Sequence, residues 1–320
     1  MTYGGPESIC RAGIDTWALY GAEATYNAGG TANLNFGIVQ NVTPNQKNSL
    51  IQVRGFKGST DGRDIVKSLG GKFECGVSVE FQPQTFDWMK YVLGTMTGSG
   101  TAGSPYIYSS AANPPSMVIA TAIDFTSGDD MYVQYTGSVA NSCTIKCAMG
   151  EPVSATLEFM SATLTRGTTV GSPVALSGSD IFTFAGGSLE IPNGAALTNV
   201  IDSVEVSITN NFEVAYGIGS RTGKYAKAKA RDYGLKFTLK LSDSKQFENF
   251  LGLTTGPATD NPIRLATITL KFIQTAGPYV YFQFTGVRFD EWATGMSYGE
   301  LMNEDITGVA ETLTVTERQV

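Results

Sequence analysis

The sequence predicts a mainly β protein built by tandem duplication, with one short helix in each copy. Three observations carry this reading: seven runs that alternate apolar and polar residues, two helical stretches that each end in Leu-Gly, and a further motif that recurs at a similar offset.

The alternating runs are 73–81 (FECGVSVEF), 131–139, 152–160, 203–212, 235–241, 263–273 and 279–289. A period of two puts one face of each strand in a core. Turn-forming stretches separate them, SGDD at 127–130, TGPATDNP at 255–262 and TAGP at 275–278. Helical spacing appears at 85–94, where Phe86, Met89, Val92 and Leu93 share a side, and at 244–252, with Phe247, Phe250 and Leu251. Gly94 and Gly252 stand where a C-cap glycine belongs.

Both helices follow a strand and both end in Leu-Gly, at an offset of 252 − 94 = 158 residues. YVQYTG (132–137) and YFQFTG (281–286) repeat at 281 − 132 = 149, and the longer loop at 97–115 of the first copy absorbs the difference. The expected organisation is an N-terminal extension at 1–35, copy one at 36–166, a linker at 167–199 and copy two at 200–320. The extension and the Gly/Ala/Ser-rich stretch 94–116 read either as stacking loops ordered only in an assembly or as flexible ends.

Composition narrows the function. A chain of 320 residues with 42% hydrophobic content supports a packed core. No basic-then-apolar start suggests a signal peptide and no apolar run approaches a membrane span, so a soluble protein or soluble assembly is expected. There is no histidine, which removes the commonest general base, the commonest metal ligand and every Ser-His-Asp or Cys-His nucleophile. Cys143 and Cys147 share a strand face at a spacing that suits a metal only with a second close pair, which the chain lacks. Buried free thiols are expected there, and no metal or cofactor. The carboxylate pair Asp129–Asp130, a glycosidase-like candidate, sits in a turn signal and points to opposite faces if on a strand, so no enzymatic activity is expected. A net charge of −7 disfavours a tight grip on nucleic acid.

One stretch, 210–237 (NNFEVAYGIGSRTGKYAKAKARDYGLKF), raises a phosphate-loop reading. Its glycines match neither G-x-x-x-x-G-K-[ST] nor G-x-G-x-x-G. Lys227, Lys229 and Arg231 alternate with Ala226, Ala228 and Ala230, which is strand periodicity. The better reading is a long β-hairpin arm turning near 217–223. Tyr216, Gly217, Gly219, Arg221, Lys224, Lys227, Lys229 and Arg231 are then candidate subunit contacts, the alternative being a solvated charged edge that blocks aggregation.

The order of elements in SVEVSITNNFEVAYGIGSRT, followed by a basic segment and an alternating strand, resembles the tail tube proteins of long-tailed phages and related archaeal viruses. The likeness is clear over about 200–255; copy one lacks the Asn-Asn-x-Glu and Gly-Ser-Arg signatures and joins through the internal repeat. The resemblance implies two tandem tail-tube-like β-sandwich/barrel domains, each with a short flanking helix and a long hairpin arm. It implies hairpins of neighbouring subunits pairing into a barrel around a lumen, three duplicated chains making a pseudo-sixfold ring, and stacked rings conducting viral DNA weakly and without sequence preference. Tape-measure and tail tip or terminator proteins are implied partners, no membrane is involved, and the location is the virion tail, assembled in the host cytoplasm. Glu205 and Glu213, which flank the hairpin, are the lumen-facing candidates. A decoration or adhesin-type β-protein that forms no tube is the alternative.

Overall fold

The computed structural model describes residues 16–54, 65, 67–123, 131–167, 180–191, 197, 200–258, 263–274, 277–295 and 301–320. Residues 55–60 and Asp129–Asp130 lie outside them. The first half contains β1 (Thr16–Ala22), β2 (Leu34–Asn35), β3 (Ile38–Val53), β4 (Lys67–Gln82), α1 (Met89–Leu93), β5 (Gly94–Thr97), β6 (Tyr106–Ser110), β7 (Met117–Ile123), β8 (Met131–Ala148), β9 (Ser154–Ser161) and β10 (Thr163–Gly167). The second half contains β11 (Gly187–Glu190), β12 (Ile201–Thr209), β13 (Glu213–Ala215), β14 (Tyr225–Lys227), β15 (Asp232–Lys240), α2 (Lys245–Leu251), β16 (Leu265–Ile273), β17 (Tyr279–Thr294), β18 (Asn303–Ala310) and β19 (Thr312–Arg318). All seven alternating runs are strands. Both helices form where their spacing requires, and both end on glycines at positive φ, 120° for Gly94 and 87° for Gly252. No helix among the described residues is long and apolar enough to cross a membrane.

The strands build one central antiparallel sheet in the order β3-β4-β9-β8-β12-β15-β18-β17. A flanking sheet, β2-β1-β7-β8-β10, belongs to the first half, and another, β11-β16-β17-β19-β6-β5, covers the second. Apolar side chains of the central sheet, among them Val77, Val79, Leu157, Ile145, Val206, Phe237 and Ile306, share one buried core with those of the flanking sheets. The result is a β-sandwich in each half, joined through the central sheet.

The two halves pair in the same register. Tyr135 of β8 lies opposite Ile119 and Phe284 of β17 opposite Ile268, both 149 residues on. Val139↔Met160 and Ala140↔Phe159 become Arg288↔Val309 and Phe289↔Gly308. A bulge follows at the same place in each, between Ala140 and Ser142 and between Phe289 and Glu291. β4 and β15 correspond at 158 and β3 and β12 at 162, since Val42↔Val79 matches Val204↔Phe237. β1 and β11 also correspond, pairing with β7 and β16 in matching places.

The repeated Tyr-x-Gln motif marks the point where β8 and β17 leave a flanking sheet for the central one. Gly137 and Gly286, again 149 apart, hold φ of 62° and 68°. A side chain resists that conformation, and a Cβ on Gly137 would sit 2.7 Å from the Cβ of Ala162.

The stretch 94–116 is ordered within the single chain, which corrects the expectation of a flexible end or of order only in an assembly. It forms β5 and β6, and β6 adds to the edge of β19 through Val315↔Tyr108 and Thr316↔Ile107. Beneath this seam Glu317, 1% exposed, accepts from the Tyr108 hydroxyl at 2.7 Å and the Phe86 N–H at 2.8 Å. Phe86 meets Phe182 and Phe282 edge to face, so the halves share an aromatic contact as well.

Two outcomes follow. Gly137→Ala is expected to lower stability by about 2 kcal/mol, read from denaturant midpoints, because it forces a positive φ on a side chain that also meets Ala162. Burial pushes the Glu317 carboxyl up to about 7 in the folded chain against a reference of 4.5, so folding favours its protonated form. Its contribution is fully present below pH 4.5 and is lost as pH rises through 7, on the order of 3 kcal/mol in all. Glu317→Gln flattens that fall in a pH series of thermal unfolding; an unchanged slope contradicts the assignment.

Candidate functional site

The strand pleat sorts the central sheet into two faces. One is the core. The other carries small hydroxylated residues and charges: Ser78 and Glu80 on β4, Thr156 and Glu158 on β9, Ser142, Thr144 and Lys146 on β8, Ser203, Glu205 and Ser207 on β12, Lys236 and Thr238 on β15, Asp305 and Thr307 on β18. Cross-strand bonds hold its carboxylates. Ser142 Oγ donates to Glu158 at 2.8 Å, Thr238 Oγ1 donates to Asp305 at 2.5 Å, and Lys146 Nζ meets Glu205 at 3.3 Å. Glu205 also lies opposite Lys236, so acid and base alternate across three strands. These partners are exposed enough to contribute little to stability. What they do is present a polar, mixed-charge surface without an apolar patch.

The sheet ends in two unlike edges. β3 and β4, 16 residues each, pair from Ile38↔Gln82 to Val53↔Lys67, beyond the 75–81 segment of β4 that pairs with β9, and form an arm. Its outer part is exposed and apolar in places, with Leu50 at 60%, Ile51 at 53% and Leu69 at 42%. At the other end β17 pairs with β18 over 288–294, with Asp290, Glu291 and Ala293 exposed.

The 210–231 stretch is a hairpin, but its ladder is short. β13 and β14 pair three residues each, Glu213↔Lys227, Val214↔Ala226 and Ala215↔Tyr225. Tyr216 begins the turn beneath the Lys72 ammonium, 5.4 Å from its ring centre. Gly217 accepts from the Ser220 N–H at 3.2 Å, Gly219 holds a φ of 89°, and Lys224 donates its N–H to Ala215 at 2.8 Å. Lys227 and Lys229 are exposed, and Lys229 pairs with Glu213 at 2.7 Å. That pairing holds the Glu213 carboxyl below its ordinary value.

Arg221 and Arg231 point inward along the chain. Arg221 Nε donates to the Gly71 carbonyl at 2.7 Å, its Nη2 to Asn48 Oδ1 at 2.8 Å, and its carbonyl accepts from the Phe73 N–H. The hairpin is therefore seated on the base of the β3–β4 arm of the same chain. Arg231 Nε donates to Asn210 Oδ1 at 2.5 Å, and its Nη2 to the Ala111 carbonyl at 3.0 Å. Asn210, fully buried, donates Nδ2 to the carbonyls of Val92 and Ala140. Sequence reasoning missed Asn210, Arg231's inward role and Glu317, because each acts between segments far apart in the chain.

A groove of about 600 Å³ lies between the arm base and this hairpin, lined by Lys47, Lys72, Glu74, Glu213, Tyr216 and Lys229. Both carboxylates are ion-paired, Glu74 to Lys72 and Glu213 to Lys229, and both titrate below the ordinary value for that reason. A glycosidase acid needs the opposite shift. Cys75, Cys143 and Cys147 are free and buried, and burial pushes the Cys75 and Cys147 thiols up to about 11.

A duplicated β-sandwich with a continuous polar sheet face, two sheet edges without a partner strand among the described residues, and a protruding arm is the architecture of a structural protein. The family model for phage tail tube proteins matches residues 13–316. The chain belongs to that family, whose members are structural components of the virion tail rather than enzymes. No curated protein matches it.

Arg221→Ala tests the seating of the hairpin. It is expected to speed amide exchange at Phe73 and along 48–53 about tenfold or more, equivalent to a local loss of about 1.4 kcal/mol, while global unfolding moves little. Unchanged exchange there contradicts the contact.

Proposed function

We propose that the protein forms rings of three chains with pseudo-sixfold symmetry, that the rings stack into the tail tube, and that viral DNA passes through the bore. The observation that carries this is the continuous central sheet: four strands from each half, one polar face, and an open edge at each end. Three such sheets make a closed barrel that leaves no exposed edge. The repeats are read as folded units spanning about 16–167 and 180–320, because β1 and β11 hold corresponding places. In this reading β1 and β11 join the units expected to start near 36 and 200.

The polar sheet face lines the bore in this reading, with Glu205 among its carboxylates. Alternating charges and hydroxyls offer phosphates neither a basic stripe nor an apolar wall, and three chains carry 3 × −7 = −21. Tyr216, Arg221 and Arg231 seat the hairpin on the first repeat; Gly217, Gly219, Lys224, Lys227 and Lys229 are its candidate contacts to a neighbouring subunit, and Glu213 a second carboxylate for the bore. The exposed Leu50, Ile51 and Leu69 of the arm suit a contact with the next ring. Tape-measure and tail tip or terminator proteins are the other partners, and assembly takes place in the host cytoplasm.

Negative-stain electron microscopy with mass photometry across a concentration series tests this. The expected result is hollow rings or tubes built from units of 3 × 34.0 = 102 kDa. Particles of 34 kDa at every concentration favour a decoration or adhesin-type protein.

A further inference from the structure

We infer that the joint between chains repeats the joint inside each chain: β17 of one copy pairs antiparallel with β3 of the next, in the register that already joins β8 to β12. This rests on the ring reading and adds to it which strands meet and which residues lie opposite.

The internal joint is observed. β8 and β12 pair from Thr209↔Ser142 to Ser203↔Ala148. β8 corresponds to β17 at 149 and β12 to β3 at 162, so carrying the joint over places Lys47 opposite Glu291, Gln46 opposite Trp292, Asn45 opposite Ala293 and Pro44 opposite Thr294. The geometry permits it. The central sheet has eight alternating strands, so its last runs opposite to its first and head-to-tail addition stays antiparallel.

The faces and charges also agree. Gln46 and Trp292 both fall on the core side, while Lys47 and Glu291 fall on the polar side. Lys47 already lies opposite Glu74, so the order across the new joint is Glu74, Lys47, Glu291, acid-base-acid, as Lys146, Glu205 and Lys236 are base-acid-base inside the chain. Pro44 stands where the inner joint has Val206. It lacks an N–H and costs the ladder one bond at most, as befits a strand that is an edge until the next chain arrives.

A second observation is independent of the edges. In the first half, Met89, Val92 and Leu93 of α1 are fully buried, and Asn210 of the second half donates to the Val92 carbonyl. Their counterparts in α2, at 158, are Phe247, Phe250 and Leu251, and all three are only half-buried. The helix has the same apolar face without the cover that the following repeat supplies. The counterpart of Asn210 is Asn48, at 162, on the protruding part of β3. Asn210 Oδ1 takes Arg231, and Asn48 Oδ1 takes Arg221. Carried over, Asn48 of the next chain donates Nδ2 to Phe250 as Asn210 does to Val92. The occupant of both the β17 edge and the open face of α2 is therefore a second copy of this chain.

Paired cysteines test the register. Asn45→Cys with Ala293→Cys, both exposed, is expected to give covalently closed trimers under oxidation, with about tenfold less product from Thr43→Cys with Ala293→Cys, two residues out of register. Either single variant controls for the native thiols. Lys47→Glu is expected to weaken assembly and Lys47→Glu with Glu291→Lys to restore it. Rings by microscopy with cross-links favouring the shifted pair, or with none, overturn the inference and leave the ring reading standing. Neither rings nor cross-links overturns both.

Discussion

Everything in this structure depends on the antiparallel seam between β8 and β12. Among the described residues it is the one place where a strand of the first repeat hydrogen-bonds along a strand of the second within the central sheet, and it converts two four-stranded sheets into one of eight. Backbone pairing fixes side-chain facing with a period of two, so this seam also forces both repeats to present their polar residues on the same side. A slip of one residue would turn Glu205 and Ser207 into the core and Val206 out of it. The alternation in 203–209 makes that slip prohibitively unfavourable, and the continuous polar face follows.

The long strands β8 and β17 make the same architecture possible in each half. Each serves two sheets, which requires a bend and then a change of register. Gly137 and Gly286 provide the bend, and the bulges after Ala140 and Phe289 provide the register change. The second seam, β6 against β19 with Glu317 buried beneath it, ties the flanking layer of the second repeat to the first. The two repeats are thereby tied at two levels, once in the central sheet and once in the flanking layer.

Local features were legible in the sequence because their causes are local. Alternation gave the strands, spacing gave Met89, Val92 and Phe250, and the Tyr-x-Gln-x-Thr-Gly pair gave the repeat offset of β8 and β17, though not the bend that its glycine makes. The repeat offsets of 149 and 158 read from short motifs are the offsets of the strand registers. The roles of 94–116, Asn210, Arg231 and Glu317 were not legible, since each is defined by a contact 100 or more residues away in sequence or by a partner strand that periodicity cannot name. Glycine and lysine content drew attention to 216–231, while the longer projection is the 38–53 and 67–82 ladder, whose outer part (SLIQV at 49–53, KSLGGK at 67–72) lacks the alternation of 73–81. Periodicity reports which residues share a face, not how far a strand runs beyond its sheet.

Hydrogen–deuterium exchange compared between single chains and assembled protein tests the repeated joint most directly. The β12 amides at 203–209 are paired in the lone chain and should be protected in both states. The outward amides of β3 at 43–47 and of β17 at 291–294 should exchange freely in the lone chain and become protected together on assembly. Assembled protein in which β3 and β17 still exchange at the rate of the lone chain would contradict the joint.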